Sequence, residues 1–210
     1  MKRIFICLLA WGTWIQAAGA LPEFPTETVN NYANLRAWFT DAAHTTARFE
    51  MERTMPSGRV LKSRGNFEYR RGQGMMWRTE HPVRNAMVIT QKELSVYDAR
   101  GRKLRTTNLE GASAARFTSA FAQEMTPDLL RQMERAFRVT CRTESERQLL
   151  ILGLKARHSA NDLRWMLLLV RQGILHQVHY ESAKQGLTRV TFSLVKNSDS
   201  VPAGAFSVVP

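Results

Sequence analysis

The strongest constraint in this chain is a period of two, repeated between turn signals along most of its length. Ala47, Phe49 and Met51 alternate with Arg48, Glu50 and Glu52. Such a run places apolar side chains on one face of a strand and charge on the other. Pro56-Ser57-Gly58 turns the chain into a second run from Arg59 to Arg70, and others follow at Met75–Glu80, Asn85–Thr90, Glu93–Asp98 and Lys103–Thr107. After an interruption the pattern resumes at Gln148–Leu154, Leu163–Arg171, Ile174–Glu181 and Leu187–Val195, and a last short strand is expected at Ala205–Val209. Gln172-Gly173 reads as a two-residue hairpin turn. Short strands at this spacing predict an antiparallel meander, sandwich or barrel.

Three stretches break the alternation with helical spacing. Thr26 caps a predicted helix to Phe39, with Val29, Tyr32, Leu35 and Trp38 on its apolar side. Ala114, Phe117, Phe121 and Met125 mark a second, and Thr126-Pro127 opens a third in which Leu130, Met133 and Phe137 continue the stripe. The fold class is therefore mainly β within an α+β plan: one continuous antiparallel sheet and about three helices. A sheet with one apolar face must cover that face or close on itself, and the helices are the obvious cover.

The chain opens with Lys2 and Arg3, an apolar run from Ile4 to Trp14, and the small residues Ala18-Gly19-Ala20. This is the pattern of a secretory signal peptide, cleaved after Ala20, with residues 21–210 expected as a single exported domain. Cys7 leaves with the signal, and Cys141 then has no partner for an internal disulfide. The formal charge of +12 loses the two of Lys2 and Arg3, leaving +10 to favour anionic surfaces. The cations are scattered over strands and turns, with no reading helix or stacking platform among them, so nucleic acid is not an expected partner.

Catalytic motifs are absent from residues 21–210: there is no G-x-S-x-G elbow, H-E-x-x-H pair or glycine-rich phosphate loop. The alternation sends His176 and His179 to opposite faces, which argues against a shared metal. His179 and Glu181 share a face, where a wet cross-pair is the ordinary meaning. Cys141 fits a structural thiol better than a nucleophile. Neither cofactor, metal nor catalytic group is expected, although an exported hydrolase using Cys141 or the His179/Glu181 pair is the rival from another class. A structural adaptor whose interior never opens is a third reading.

The stretch "GNFEYRRGQGMMW" (65–77) raises a sharper point. Phe67 and Tyr69 share one face, and a period of two carries Arg71 onto it, while Asn66, Glu68 and Arg70 take the face that reads as solvent. Either the strand ends at Arg70 and a turn opens around Gly72 and Gly74, or Arg71 looks into an apolar space. Met51, Met75, Met76, Met87, Met125 and Met133 add flexible thioethers suited to core packing or to an adaptable binding surface.

Gly65, Phe67, Arg71, Trp77, Pro82, Tyr97 and Asp98 follow the order of a family pattern. With the ending "FSLVKNSDSVPAGAFSVVP", they give a chain that resembles LolA, the periplasmic lipoprotein carrier, over nearly all of residues 21–210. It departs in having Gly72 where the family has proline and Gln91-Lys92-Glu93 where the family has Asp-Gly. The resemblance implies an unclosed antiparallel β-barrel with helices as a lid over an apolar cavity. It also implies that Arg71 latches the lid. On the strand phases, the cavity wall is expected to include Phe49, Met51, Phe67, Tyr69, Met75, Trp77, Met87 and Ile89, with Phe117, Phe121, Leu130 and Met133 from the lid. The implied function is that of a monomeric, non-enzymatic carrier of acylated cargo. It would receive lipoproteins from an inner-membrane exporter and pass them to an outer-membrane acceptor, with only transient membrane contact. A paralogue carrying a glycolipid or similar compound is the nearest alternative.

Overall fold

The computed structural model describes residues 23–28, 42–109, 135, 137–144, 149–157 and 163–208. Every bounded element among them is a strand. The first seven are β1 (Glu27–Thr28), β2 (His44–Thr54), β3 (Val60–Arg70), β4 (Gly74–His81), β5 (Asn85–Ile89), β6 (Glu93–Asp98) and β7 (Lys103–Asn108). They are followed by β8 (Phe137–Glu144), β9 (Leu149–Ala156), β10 (Leu163–Arg171), β11 (Ile174–Ser182) and β12 (Gly186–Ser198). All join one antiparallel sheet in the order β1-β8-β9-β10-β11-β12-β2-β3-β4-β5-β6-β7. The sheet is unclosed, with β1 and β7 at its two edges. All six residues of β7 are exposed and include Lys103 and Arg105, charges that discourage pairing with another chain.

The alternation read in β2 is realised. Ala47 and Phe49 are buried, and Arg48 and Glu50 are exposed. On that same face, Val190 and Phe192 of β12 join Ala47 and Phe49 in one apolar cluster, with Phe67 and Trp77 packed against it. A neighbouring cluster on β8–β10 holds Phe137, Val139, Leu150, Leu152, Leu154, Met166, Leu168 and Val170. The β10–β11 connection is the two-residue turn expected at Gln172-Gly173, whose φ angles of 52° and 76° are the left-handed pair of a type I′ hairpin.

Three expectations are corrected. Thr26 does not cap a helix into Glu27–Thr28. Those residues form β1 and pair with Cys141 and Thr140. Pro25 biases Phe24 toward extended backbone, and Phe24 meets the Trp165 ring edge-on at 6.3 Å. Gly153 makes that route possible, since a Cβ there would stand 2.7 Å from Phe24 Cε1 and 2.9 Å from Pro25 Cγ. Phe137 does not continue a helical stripe but opens β8, where Phe137 and Val139 enter the core on a period of two. Residues 205–209 form no strand in their described part. Gly204, at φ 87°, turns the tail across the outer face of β3 and β4.

That tail explains a further correction. Glu68 and Arg70 are not on a solvent face, because Arg70 is only 6% exposed. Its Nη1 donates to the Gly204 carbonyl at 2.9 Å, and its guanidinium lies 4.5 Å from the centroid of the Phe206 ring. Arg70 Nε donates to Glu68 Oε1 at 2.6 Å, an oxygen that His44 Nε2 also contacts at 3.0 Å. Arg78 reaches the Ser207 carbonyl beside them. The predicted helices at 29–39, 112–125 and 126–136 lie outside the described residues, apart from the single residue Arg135.

An apolar cavity as the candidate functional site

The face opposite the tail lines a cavity of about 1280 Å³. Ordinary small-molecule pockets run to roughly 300–1,000 Å³, so this one is large. The strand phases explain its wall. Phe49 and Met51 come from β2, Phe67 and Tyr69 from β3, Met75 and Trp77 from β4, and Met87 and Ile89 from β5. Register pairs Phe67 with Trp77 and Trp77 with Met87, which sets these side chains in a row across three strands. Phe117, Phe121, Leu130 and Met133 fall outside the described residues.

Rings dominate the floor. Trp77 meets Phe67 at 4.8 Å and Phe49 at 5.1 Å between centroids, and Phe192 lies 5.2 Å from Phe67. Tilted and edge-on contacts of this kind hold each ring in place by its neighbours. Around them the thioethers of Met51, Met75, Met87 and Met166 give a wall that changes shape through rotamers. The β10–β12 half of the wall, including Met166, Leu168, Val178, Tyr180 and Phe192, was not singled out from the sequence. The alternation of Val190 and Phe192 with Arg189 and Thr191 was the available signal.

Both readings of the double arginine are realised together. β3 ends at Arg70, and Arg71, Gly72 and Gln73 form the turn into β4. Arg71 nevertheless lines the cavity, with its backbone N–H donating to the Ala43 carbonyl at 2.8 Å. Near that end, Thr45 Oγ1 donates to Asn197 Oδ1 at 2.8 Å. At the other end Arg53 Nε donates to Thr188 Oγ1 at 3.2 Å, which fixes a half-buried guanidinium at the cavity margin.

The groups considered for chemistry do not assemble. Burial, and then the charge of Glu27, pushes the Cys141 thiol up, which opposes formation of a thiolate. His179 and Glu181 share a face without pairing. Glu181 accepts from Trp165 Nε1 at 2.6 Å and from Arg164 Nη1 at 2.8 Å, while His179 Nε2 contacts Gln177 Oε1 at 3.0 Å. Burial, and then Arg189, lowers the His179 pKa to about 4, so the ring is neutral at pH 7. A bulge in β11 pairs Leu169 with Gln177 but Val170 with Leu175, leaving His176 as the extra residue. Among the described residues no group of three or more His, Cys, Asp or Glu is placed to hold a metal, and no helix is long and apolar enough to cross a membrane.

Comparison with known proteins gives a family match. The model of the outer membrane lipoprotein carrier protein LolA matches residues 40–209. No curated protein matches the sequence significantly. Among solved structures, a DUF1329 family protein from Desulfovibrio piger is 11% identical over 84% of this chain and 96% of its own, at a TM-score of 0.47. A LolA superfamily protein from Nitrosomonas europaea is 9% identical over 80% and 91%, at 0.40. The Pseudomonas aeruginosa MucA/MucB complex contains a chain 14% identical over 81% of this one and 57% of that one, at 0.41.

Proposed function

Because this chain belongs to the LolA family of outer membrane lipoprotein carrier proteins, we propose that it is a periplasmic, non-enzymatic carrier. It shields the acyl chains of lipoproteins between the inner and outer membranes. It acts as a monomer of residues 21–210 after loss of the leader at 1–20. The observation that carries this reading is the cavity itself, large and walled by rings and thioethers.

The energetics favour such a role. Burying a methylene is worth about 0.8 kcal/mol, so one long acyl chain supplies on the order of 10 kcal/mol. A carrier that kept all of that would not release its cargo. A wall that repacks, and a closed state that competes with ligand, lower the net affinity. Arg71 is the proposed latch of that closed state. A guanidinium at an apolar margin is stable only when paired, and pairing it with lid carbonyls makes a contact that an acyl chain displaces.

Native mass spectrometry with lipid extraction, on protein isolated from the periplasm without detergent, tests the reading. Co-purified acylated protein is the expected result, and a small acylated lipid instead would make the cargo that of a paralogue. An empty protein that also excludes a neutral hydrophobic dye overturns the carrier function. For the latch, Arg71→Leu is expected to retain cargo longer, and wild-type rates of transfer to an acceptor would remove it.

A further inference from the structure

Among the described residues, antiparallel pairing gathers four hairpin loops at one end of the sheet: 55–59, 82–84, 99–102 and 183–185. Together they carry Arg59, Arg84, Arg100, Arg102 and Lys184 and no carboxylate. Asp98 and Glu80 border these loops beside Arg84. Asp98 accepts from the backbone N–H groups of Arg100 and Arg102 and from Arg102 Nε at 3.1 Å, and Glu80 accepts from Asn66 Nδ2 at 2.6 Å. Backbone donation from Arg102 first, then the other contacts outweighing burial, keeps the Asp98 carboxyl below the usual range. It therefore remains ionised, with Arg102 as its paired guanidinium. The described hairpin loops at the opposite end, 71–73, 90–92 and 172–173, carry two cations, Arg71 and Lys92.

The same end carries the exposed apolar side chains. Val83 is 67% exposed, Leu104 56%, Val60 47% and Leu61 39%. The remaining large exposed hydrophobic among the described residues, Leu194, stands apart in a β12 bulge. All four of the first group also border the cavity, beside Arg53, Arg84 and Arg105. Apolar tips set where cations outnumber acids around a cavity mouth match the chemistry of a bilayer interface, where the tips enter the acyl boundary and the arginines meet headgroup phosphates.

We propose that this hairpin end docks the protein reversibly on an anionic phospholipid surface, so that the cavity mouth faces the leaflet from which acyl chains enter or into which they leave. An acidic protein is the less suited occupant, because a flat charged partner would leave Val83 and Leu104 unburied. The proposal deepens the carrier reading and rests on it for its purpose, but not for its measurement.

The test is co-sedimentation of the purified protein with vesicles of phosphatidylcholine alone or with phosphatidylglycerol, read beside uptake of the neutral dye N-phenyl-1-naphthylamine. Wild-type protein is expected to bind the phosphatidylglycerol vesicles roughly tenfold better, with the preference falling as salt shortens the Debye length below about 8 Å. Val83→Asp with Leu104→Asp is expected to lower binding to the phosphatidylglycerol vesicles roughly tenfold. Arg59→Gln, Arg84→Gln and Arg100→Gln together should abolish the lipid preference, and the three lysine substitutions should keep it. Dye uptake without vesicle binding overturns the docking surface and leaves the carrier intact. Vesicle binding without dye uptake overturns the carrier and leaves the surface. Binding that is indifferent to phosphatidylglycerol, or unchanged in the Asp variant, also overturns the proposal.

Discussion

The two faces of β3 and β4 are built from alternating residues of the same strands, yet they bury their side chains for opposite ends. On the outer face, Arg70 and Glu68 are closed over by the chain's own tail, and each has an assigned partner in Gly204, Phe206 or His44. On the cavity face, Phe67, Tyr69 and Trp77 remain partly accessible, and Phe67 and Trp77 find their company in other rings and thioethers. Directed polar contacts accept one arrangement and no other, whereas rings and thioethers tolerate many. The difference teaches that depth of burial alone does not mark which charged residue borders the cavity. Arg70 is the more enclosed of the two arginines and belongs to the scaffold, while Arg71, one residue on, borders the cavity.

Substitutions can break that division, and the largest effect is expected in the cavity floor. Phe49 is 2% exposed, and Phe49→Ala should cost roughly 3–5 kcal/mol in a urea melt and reduce dye uptake as well. Next comes Arg70→Leu, which leaves Glu68 short of its 2.6 Å partner and should cost about 3 kcal/mol. Protease should then cut the tail sooner while dye uptake is preserved. Arg71→Leu should invert that result, with stability changing by less than about 1 kcal/mol and cargo release slowed. If the two variants behaved alike, the assignment of faces would fail.

A smaller effect concerns pH. The folded-state pKa of His179 lies near 4, below its ordinary 6.5, so the unfolded chain binds the proton more readily. Its contribution is complete above pH 6.5 and is lost as pH falls toward 4, on the order of 3 kcal/mol. His179→Gln should flatten the acid limb of a stability profile between those values. Least of all, Glu52→Gln on the open part of the outer face should move stability by under about 0.5 kcal/mol, because the 3.3 Å pair with Lys62 is solvent-exposed.

How much of this was legible in the sequence follows from the range of the forces involved. Strands whose faces differ in polarity declare themselves locally, which is why β2 to β7 and β9 to β12 begin and end within a few residues of expectation. β8 does not, because Phe137 stands four residues from Met133 and two from Val139, and both periods fit it. The burial of Arg70 depends on a carbonyl 134 residues away, and no local pattern carries that. The cavity wall was readable on β2 to β5, where apolar and charged residues alternate. It was hidden on β10, where Met166 to Val170 is an unbroken apolar run buried on both faces.

One consequence of the two unjoined edges concerns capacity. A closed barrel has its girth set once strand number and shear are chosen, since every strand must find a partner. A ribbon that ends at β1 on one side and β7 on the other obeys no such closure rule. Its radius of curvature is free to follow whatever fills it, at the cost of small changes in twist spread over many strand pairs. On the proposed carrier function, a vessel of this kind would take cargoes with different numbers of chains without breaking a ladder hydrogen bond.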